Sequence, residues 1–107
     1  MTDTLTRQAD PNQIVHQLGR NLAAISGGRV GAHWDPTGQF IDGIQMPAGK
    51  GYWVTVLLAA NDTYTVTRDF RRGGKTFPKG SVAGVYFDEV GEVAYQASCY
   101  VNVDFGA

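Results

Sequence analysis

The cations of this chain concentrate in one short segment, from Arg68 to Lys79. The segment contains five of the nine Lys and Arg residues and a single acid, Asp69, so its net charge is +4 while the rest of the chain carries −5. Its Gly73-Gly74 pair predicts a hairpin tip. A basic tip can contact a phosphate backbone, and it can equally bind an acidic protein surface, where arginine is a frequent anchor. The cations that we predict to bind a partner are Arg68, Arg71, Arg72, Lys75 and Lys79.

Aromatic residues near this segment leave its role open. Phe70 and Phe77 flank the tip, where they can stack on unpaired bases. The structural alternative is a solvated hairpin whose cations protect an edge strand from pairing with another chain. Trp53 falls on the wetter face of its predicted strand, so either a helix covers that face or Trp53 marks a contact surface. Trp34 is expected in the core.

Candidate catalytic residues form no named enzyme motif. His33 and Asp35 stand two residues apart beside a Pro-Gly turn, and Cys99 lacks the sequence context of a catalytic cysteine, so it is expected to be a buried apolar side chain. The Gly73–Thr76 stretch ends like a phosphate-binding loop but lacks the required earlier glycine and precedes Pro78 rather than a helix. We therefore expect neither an enzyme nor a cofactor.

The acidic residues near the C-terminus have a structural explanation. Asp88, Glu89 and Glu92 lie close together, but nothing supplies further oxygen ligands at a recognised metal-loop spacing. Carboxylates are favourable at the positive start of a helix. The sequence predicts a helix start there and no metal site.

Length and composition indicate one domain. The 107 residues are 43% hydrophobic and 18% charged, and the net charge of −1 excludes both a histone-like polycation and an acidic mimic of DNA. The polar residues 1–9 are expected to be a flexible tail, so the predicted domain spans 10–107. Asp10-Pro11 is typical of a helix start. Gly19 weakens the helical pattern, and we favour a helix that stops near Leu18 with residues 21–26 as a short strand, the alternative being a longer helix.

Alternating apolar residues predict several antiparallel strands after the first helix. The predicted strands cover residues 29–34, 40–46, 52–59, 63–70 and 76–82. Pro78 has no N–H to donate, so the last strand should lie at a sheet edge. Apolar residues from Val85 to Val101 recur at helical spacing and predict a helix packed on the sheet. The predicted fold is α+β, a curled antiparallel β-sheet with an N-terminal and a C-terminal helix.

The predicted compartment is the cytoplasm. Cys99 is the only cysteine, which excludes an intrachain disulfide and suits a reducing compartment. The N-terminus lacks the basic-then-apolar order of a secretory signal. The charge-free run from Gly51 to Asn61 is 11 residues long, against the ~20 that a membrane-spanning helix needs.

Four short stretches of the chain resemble a family of short bacteriophage and prophage proteins. The stretches are Leu18-Gly19-Arg20-Asn21, Ala24-Ile25-Ser26-Gly27, Asn61-Asp62-Thr63-Tyr64-Thr65-Val66 and Val85-Tyr86-Phe87-Asp88. The similarity spans roughly residues 13 to 100, and its motifs are structural. No catalytic or ligand-binding residue carries over, and the Arg-Arg-Gly-Gly-Lys tip is not general in that family.

The resemblance implies a viral accessory protein made in a bacterial cytosol. Small phage proteins of this kind are commonly non-catalytic binders that block a host machine, including anti-CRISPR-like inhibitors of defence. We therefore expect binding to a host protein or complex through the five cations and Trp53. The alternative is a small nucleic-acid-binding protein that uses the basic 68–79 hairpin. A homodimer through the Trp53 face or the edge strand is a further expectation.

Overall fold

Five strands form one antiparallel sheet in a computed structural model that describes residues 6–99. The spatial order is β1-β2-β3-β4-β5, so each strand pairs with its neighbours along the chain. Successive turns of this meander therefore lie at opposite ends of the sheet. The strands are β1 (Gly31–Trp34), β2 (Ile41–Gly49), β3 (Tyr52–Leu58), β4 (Tyr64–Arg72) and β5 (Lys75–Val85).

Three helices pack on one face of the sheet: α1 (Pro11–Leu18), α2 (Asn21–Ser26) and α3 (Val90–Cys99). Their apolar residues and those of the facing strand positions form one core, in which each fully buried Val, Ile or Leu contributes about 1.5 to 3 kcal/mol. The predicted α+β class, with an open antiparallel sheet and helices near both ends of the chain, is confirmed. The most deeply buried apolar residues are Ile14, Leu18, Ile44, Met46, Val54, Val56, Val66, Val90, Ala94 and Ala97.

None of the helices in residues 6–99 has the length and apolar character that a membrane-spanning helix requires.

Residues 21–26 form helix α2, so the short strand that we favoured there is wrong. Gly19 does end α1, with a φ of 58° that favours glycine, and its N–H donates to Val15 O at 3.2 Å. The chain then resumes a helix instead of extending, because Leu22 and Ile25 keep helical spacing and Ile25 is buried in the core.

Residues 6–9 are held against the sheet, contrary to the flexible tail predicted for 1–9. Arg7 N donates to Leu58 O at 3.0 Å, and Ala9 N donates to Ile41 O at 2.8 Å. Thr6 forms an isolated bridge with Ala59. Residues 1–5 of the predicted tail lie outside the described residues.

The C-terminal helix begins later than its apolar pattern suggests. Val85 is the last residue of β5, and Phe87, predicted to pack on the sheet, is 65% exposed in the connection to α3. Gly91 is buried where α3 approaches α1, and a Cβ there would lie 3.1 Å from Leu18 O, so the glycine permits close helix packing. Val101 lies outside the described residues.

Strand β5 is outermost in the sheet, which confirms the edge position predicted from Pro78. The turn before it consists of Gly73 and Gly74, with φ values of 60° and 79°. Two left-handed residues give the type of turn whose twist suits a two-residue hairpin. Arg72 and Lys75 therefore stand directly opposite each other at the tip.

Candidate partner-binding site at the basic end of the sheet

The β2–β3 and β4–β5 turns lie at the same end of the sheet, which we call the basic end. Its cations include Lys50, in the β2–β3 turn, which lies outside the basic segment from Arg68 to Lys79. The β2–β3 turn contacts the end of β4, because Arg71 N donates to Gly51 O at 2.8 Å. The remaining cations there are Arg71, Arg72, Lys75 and Lys79. Only the meander topology brings Lys50, which is distant in sequence, beside the others.

The sheet face opposite the helices, which we call the open face, carries Trp53. No helix within residues 6–99 packs on this face, and the role of Trp53 as a contact surface stays a prediction. The guanidinium of Arg71 lies over the Trp53 ring, 4.4 Å from its centroid. Such cation–π contacts contribute roughly 0.5 to 1 kcal/mol at exposed sites. The structure thus joins two of the predicted binding residues into one unit.

Asp69 completes this unit on β4. It stands directly opposite Trp53 in the strand register, and its Oδ2 lies 3.9 Å from Arg71 Nη2. Burial raises the pKa of the Asp69 carboxyl because it penalises the charged form, while electrostatic interaction with Arg71 and His33 acts to lower it. The Nε of Arg71 is buried and donates no hydrogen bond within the described residues. A buried donor without an acceptor costs about 1 to 3 kcal/mol, so this arrangement is maintained at a cost.

The helix-side face of the basic end carries a second group, the tip patch, made of Arg72, Lys75 and Phe77. Phe77 is 45% exposed and its ring centroid lies 6.2 Å from that of Phe70. The ring centroid of Phe70 lies 5.2 Å from that of Tyr52. The exposed Phe77 ring is therefore the outermost of three aromatic rings that pack side by side. The cross-strand partners Arg72 and Lys75 share this face with Phe77, because residues two apart point to the same side.

Arg68 does not belong to the exposed surface, so its prediction as a partner-binding residue is wrong. It is 1% exposed on the helix-side face, with its guanidinium carbon 5.4 Å from the centroid of Tyr52. The residues on either side at that face, Val66 and Phe70, give the reason, because side chains of a strand alternate between faces. Because the side chain is inaccessible to a partner, we expect Arg68 to have a structural role.

Lys79 lies where the pairing of β4 and β5 becomes irregular, between Pro78 and Ser81, and is half-buried. Pro78 removes one N–H from the outer edge of the sheet, and flanking cations oppose pairing with a second chain. The edge-protecting role weighed for the cations therefore suits Lys79 best.

The candidate catalytic residues are not brought together. Asp35 accepts hydrogen bonds from the backbone N–H groups of its own turn, at 3.2 Å from Thr37, 2.7 Å from Gln39 and 3.1 Å from Phe40. Cys99 lies on α3 and is exposed, which corrects the expectation that it is buried.

His33 is paired with a different acid from the one that the sequence suggested. Its Nδ1 lies 2.7 Å from Oδ1 of Asp42, which is buried and also accepts a hydrogen bond from the Thr6 hydroxyl at 2.9 Å. A β-bulge beside His33 places Asp42 there, and no sequence signal predicts it. Within residues 6–99 no three metal-ligating side chains form a group, and Glu89 instead accepts from Tyr86 N at the start of α3.

Comparisons of the chain with protein-family models, with curated proteins and with solved structures found no match. The resemblance to phage proteins therefore stays a prediction from the sequence.

Proposed function

We propose that the chain is a non-catalytic binding protein that recognises a host protein or protein complex through the basic end of its sheet. The observation that carries this proposal is the stacking of Arg71 on Trp53 on a sheet face that no described helix covers. Tryptophan and arginine are the residue types most enriched among the residues that dominate binding energy at protein interfaces. The nearby cations attract an acidic partner and accelerate its association.

The phage-type part of the proposal rests on the sequence resemblance alone. On that basis the chain acts in the bacterial cytosol as an accessory protein, and an anti-defence inhibitor of the anti-CRISPR kind is the activity that we assign to it. Binding in fixed proportion to a target needs no catalytic group, which suits the separation of His33, Asp35 and Cys99.

A capture experiment tests the proposal. The tagged protein is incubated with nuclease-treated bacterial lysate, and bound proteins are quantified by mass spectrometry. Trp53→Ala should reduce recovery of the specific partner at least 10-fold, because loss of a central anchor costs 2 kcal/mol or more, roughly 30-fold in affinity. Arg72→Glu should also reduce recovery, through charge.

Two matched variants control this experiment. Trp34→Ala removes the other tryptophan, at the far end of the sheet, and Arg20→Glu reverses an exposed arginine outside the basic end. Both should bind as the unmodified protein does. A partner that is retained equally by the Trp53 and Trp34 variants would show that the open face is not the binding site.

Nucleic-acid binding is the second candidate function, and the tip patch is the observation that favours it. An exposed, supported ring beside two cations suits a stacked base and its phosphates. Affinity for an oligothymidine should then fall by roughly 0.7 log units per log unit of salt for each phosphate contacted. Phe77→Ala should weaken binding, while Tyr95→Ala, which removes an exposed ring on α3, should not. Absence of binding at low salt would eliminate this candidate.

A further inference from the structure

A cleft of about 850 Å³ lies at the end of the sheet opposite the basic end. It opens between the N-terminal segment, from Arg7 to Pro11, and the turn that joins β1 to β2. The cleft is wide open to solvent, and its volume falls in the ordinary range of small-molecule sites, roughly 300 to 1,000 Å³. The cleft shares no residue with the group formed by Trp53, Asp69 and Arg71 or with the tip patch, so a ligand bound in it would be independent of the proposed function.

Both walls of the cleft are fixed before any ligand arrives. The Asp35 carboxylate holds the β1–β2 turn through the N–H groups of Thr37, Gln39 and Phe40, and the Thr37 hydroxyl donates to it as well. The facing wall is pinned to the sheet by the backbone bonds of Arg7 and Ala9. A preformed site loses little binding energy to the ordering of its own groups.

An exposed indole forms one side of the cleft. Trp34 is 53% exposed, although a tryptophan usually buries most of its large apolar surface. The side chains of Gln8 and Gln39 also line the cleft, and neither amide forms a hydrogen bond with another group in the described part of the chain. The cleft therefore offers a flat apolar surface beside amides that can both donate and accept hydrogen bonds.

The charges around the cleft disfavour an anionic ligand. Arg7 is already paired with Asp62, and Asp10 accepts the N–H of Asn12 at 3.0 Å as the cap of α1. Acidic residues predominate at this end of the sheet. They include Asp10, Asp35, Asp62, Asp88 and Glu89. A phosphate or carboxylate brought here would meet like charge, whereas a neutral ligand would not.

We propose that this cleft binds a neutral saccharide. The apolar C–H face of a pyranose ring matches the exposed face of Trp34, and its hydroxyl groups, each a donor and an acceptor, match the Gln8 and Gln39 amides. A nucleoside offers a comparable flat ring, and a nucleotide adds the phosphate that the surrounding acids oppose. A nucleoside and a nucleotide are therefore the ligands with which the saccharides must be compared.

Nitrogen-15 NMR provides the test, because the chain has two tryptophans and the second is an internal control. The full-length protein is titrated separately with maltose, cellobiose, N-acetylglucosamine, thymidine and thymidine monophosphate. At least one saccharide should shift the indole N–H signal of Trp34 and the side-chain amide of Gln39, leaving the indole signal of Trp53 unchanged. Trp34→Ala should weaken that binding at least 10-fold, and Gln39→Ala roughly 3-fold to 10-fold.

The other outcomes overturn the proposal. If no saccharide shifts the Trp34 signal at tens of millimolar, the cleft is not a saccharide site. A response to thymidine or its monophosphate that exceeds every saccharide response would assign the cleft to a base or a phosphate instead. Binding that survives in a folded Trp34→Ala variant would place the saccharide elsewhere. Trp34 is exposed, so its replacement should not disturb the core. Backbone amide signals that are unchanged away from the cleft will verify that the variant folds.

Discussion

Two carboxylates show how differently the two ends of the sheet are built. Asp35, in the β1–β2 turn, has its pKa lowered to about 2, first by the hydroxyl of Thr37 and further by backbone N–H groups that favour the charged form. Asp69, at the basic end, has its pKa raised by burial, against the opposing electrostatic effect of Arg71 and His33. One end therefore satisfies its charged group with hydrogen bonds, and the other retains a carboxylate in an unfavourable position.

The difference accords with the role in recognition that we propose for the basic end. At the basic end a buried guanidinium nitrogen of Arg71 has no acceptor within residues 6–99, and Arg72 and Lys75 stand opposite each other with like charge. A partner-binding surface would carry such local costs, because a binding requirement can override the best packing. The cleft end shows the reverse arrangement, with walls fixed by satisfied hydrogen bonds and an exposed indole along one side.

The largest expected effect is on the free energy of unfolding, where the buried Arg68 should differ from the exposed arginines. Arg68→Ala should lower the free energy of unfolding by about 2 to 3 kcal/mol, and Tm by roughly 10 °C, because it removes a fully buried stem and its contact with Tyr52. Arg72→Ala, at the exposed tip, should change stability by about 0.5 kcal/mol or less. Urea denaturation of both variants gives the comparison, and equal losses would contradict the structural role of Arg68.

An intermediate effect is expected at the cleft end. Asp35→Asn should lower Tm by several degrees at neutral pH, because the carboxylate accepts several hydrogen bonds within its turn. Since the folded-state pKa lies below the unfolded one, this stabilisation is complete above about pH 4 and is lost as the pH falls toward about 2.

Thermal unfolding of Asp35→Asn and of the unmodified protein across that pH range measures the effect. The gap in Tm between them should narrow with acidification. Asp62→Asn, in an exposed pair with Arg7, serves as the control and should differ little at any pH. If the difference in Tm between Asp35→Asn and the unmodified protein stays constant with pH, the Asp35 side chain acts through its shape rather than its charge.

The smallest effect is expected at the hairpin tip. Lys75→Gln should stabilise the fold by about 0.2 to 0.5 kcal/mol at low salt, because it removes the repulsion from Arg72 across the strands. At about 1 M salt the gain should vanish, since the screening length falls to about 3 Å. Arg20→Gln has no opposing cation across a ladder and should show no such salt dependence. A gain that persists in high salt would mean that the two charges do not repel.

Much of the fold follows from local signals in the sequence. Alternation and glycine turns predict the strands and the hairpin of β4 and β5, and Pro78 predicts the edge. The strand prediction for residues 21–26 is wrong because it gives one glycine more weight than the helical spacing of Leu22 and Ile25. The attachment of residues 6–9 depends on backbone hydrogen bonds to the sheet, and these leave no side-chain pattern to detect.

The candidate site is only partly predictable for the same reason. Trp53 and the cations are visible as residue types, but the stacking of Arg71 on Trp53 and the approach of Lys50 arise from strand register and topology. The alternation of β4 does carry the signal that Arg68 shares a face with Val66 and Phe70. The sequence carries no such signal for the exposure of Trp34, because a tryptophan at the end of a strand can point either into the core or into solvent.

The meander order of the sheet has a consequence for how the chain folds. Each strand pairs only with its neighbours in sequence, so every ladder forms by closing a short loop at little entropic cost. The Gly73-Gly74 turn favours early formation of the β4–β5 hairpin, to which β3 and then β2 can add one at a time. The distant contacts, between α1 and α3 and between Thr6 and Ala59, close last. Folding should therefore be fast for a β-rich domain, with the helices securing a sheet that has already formed.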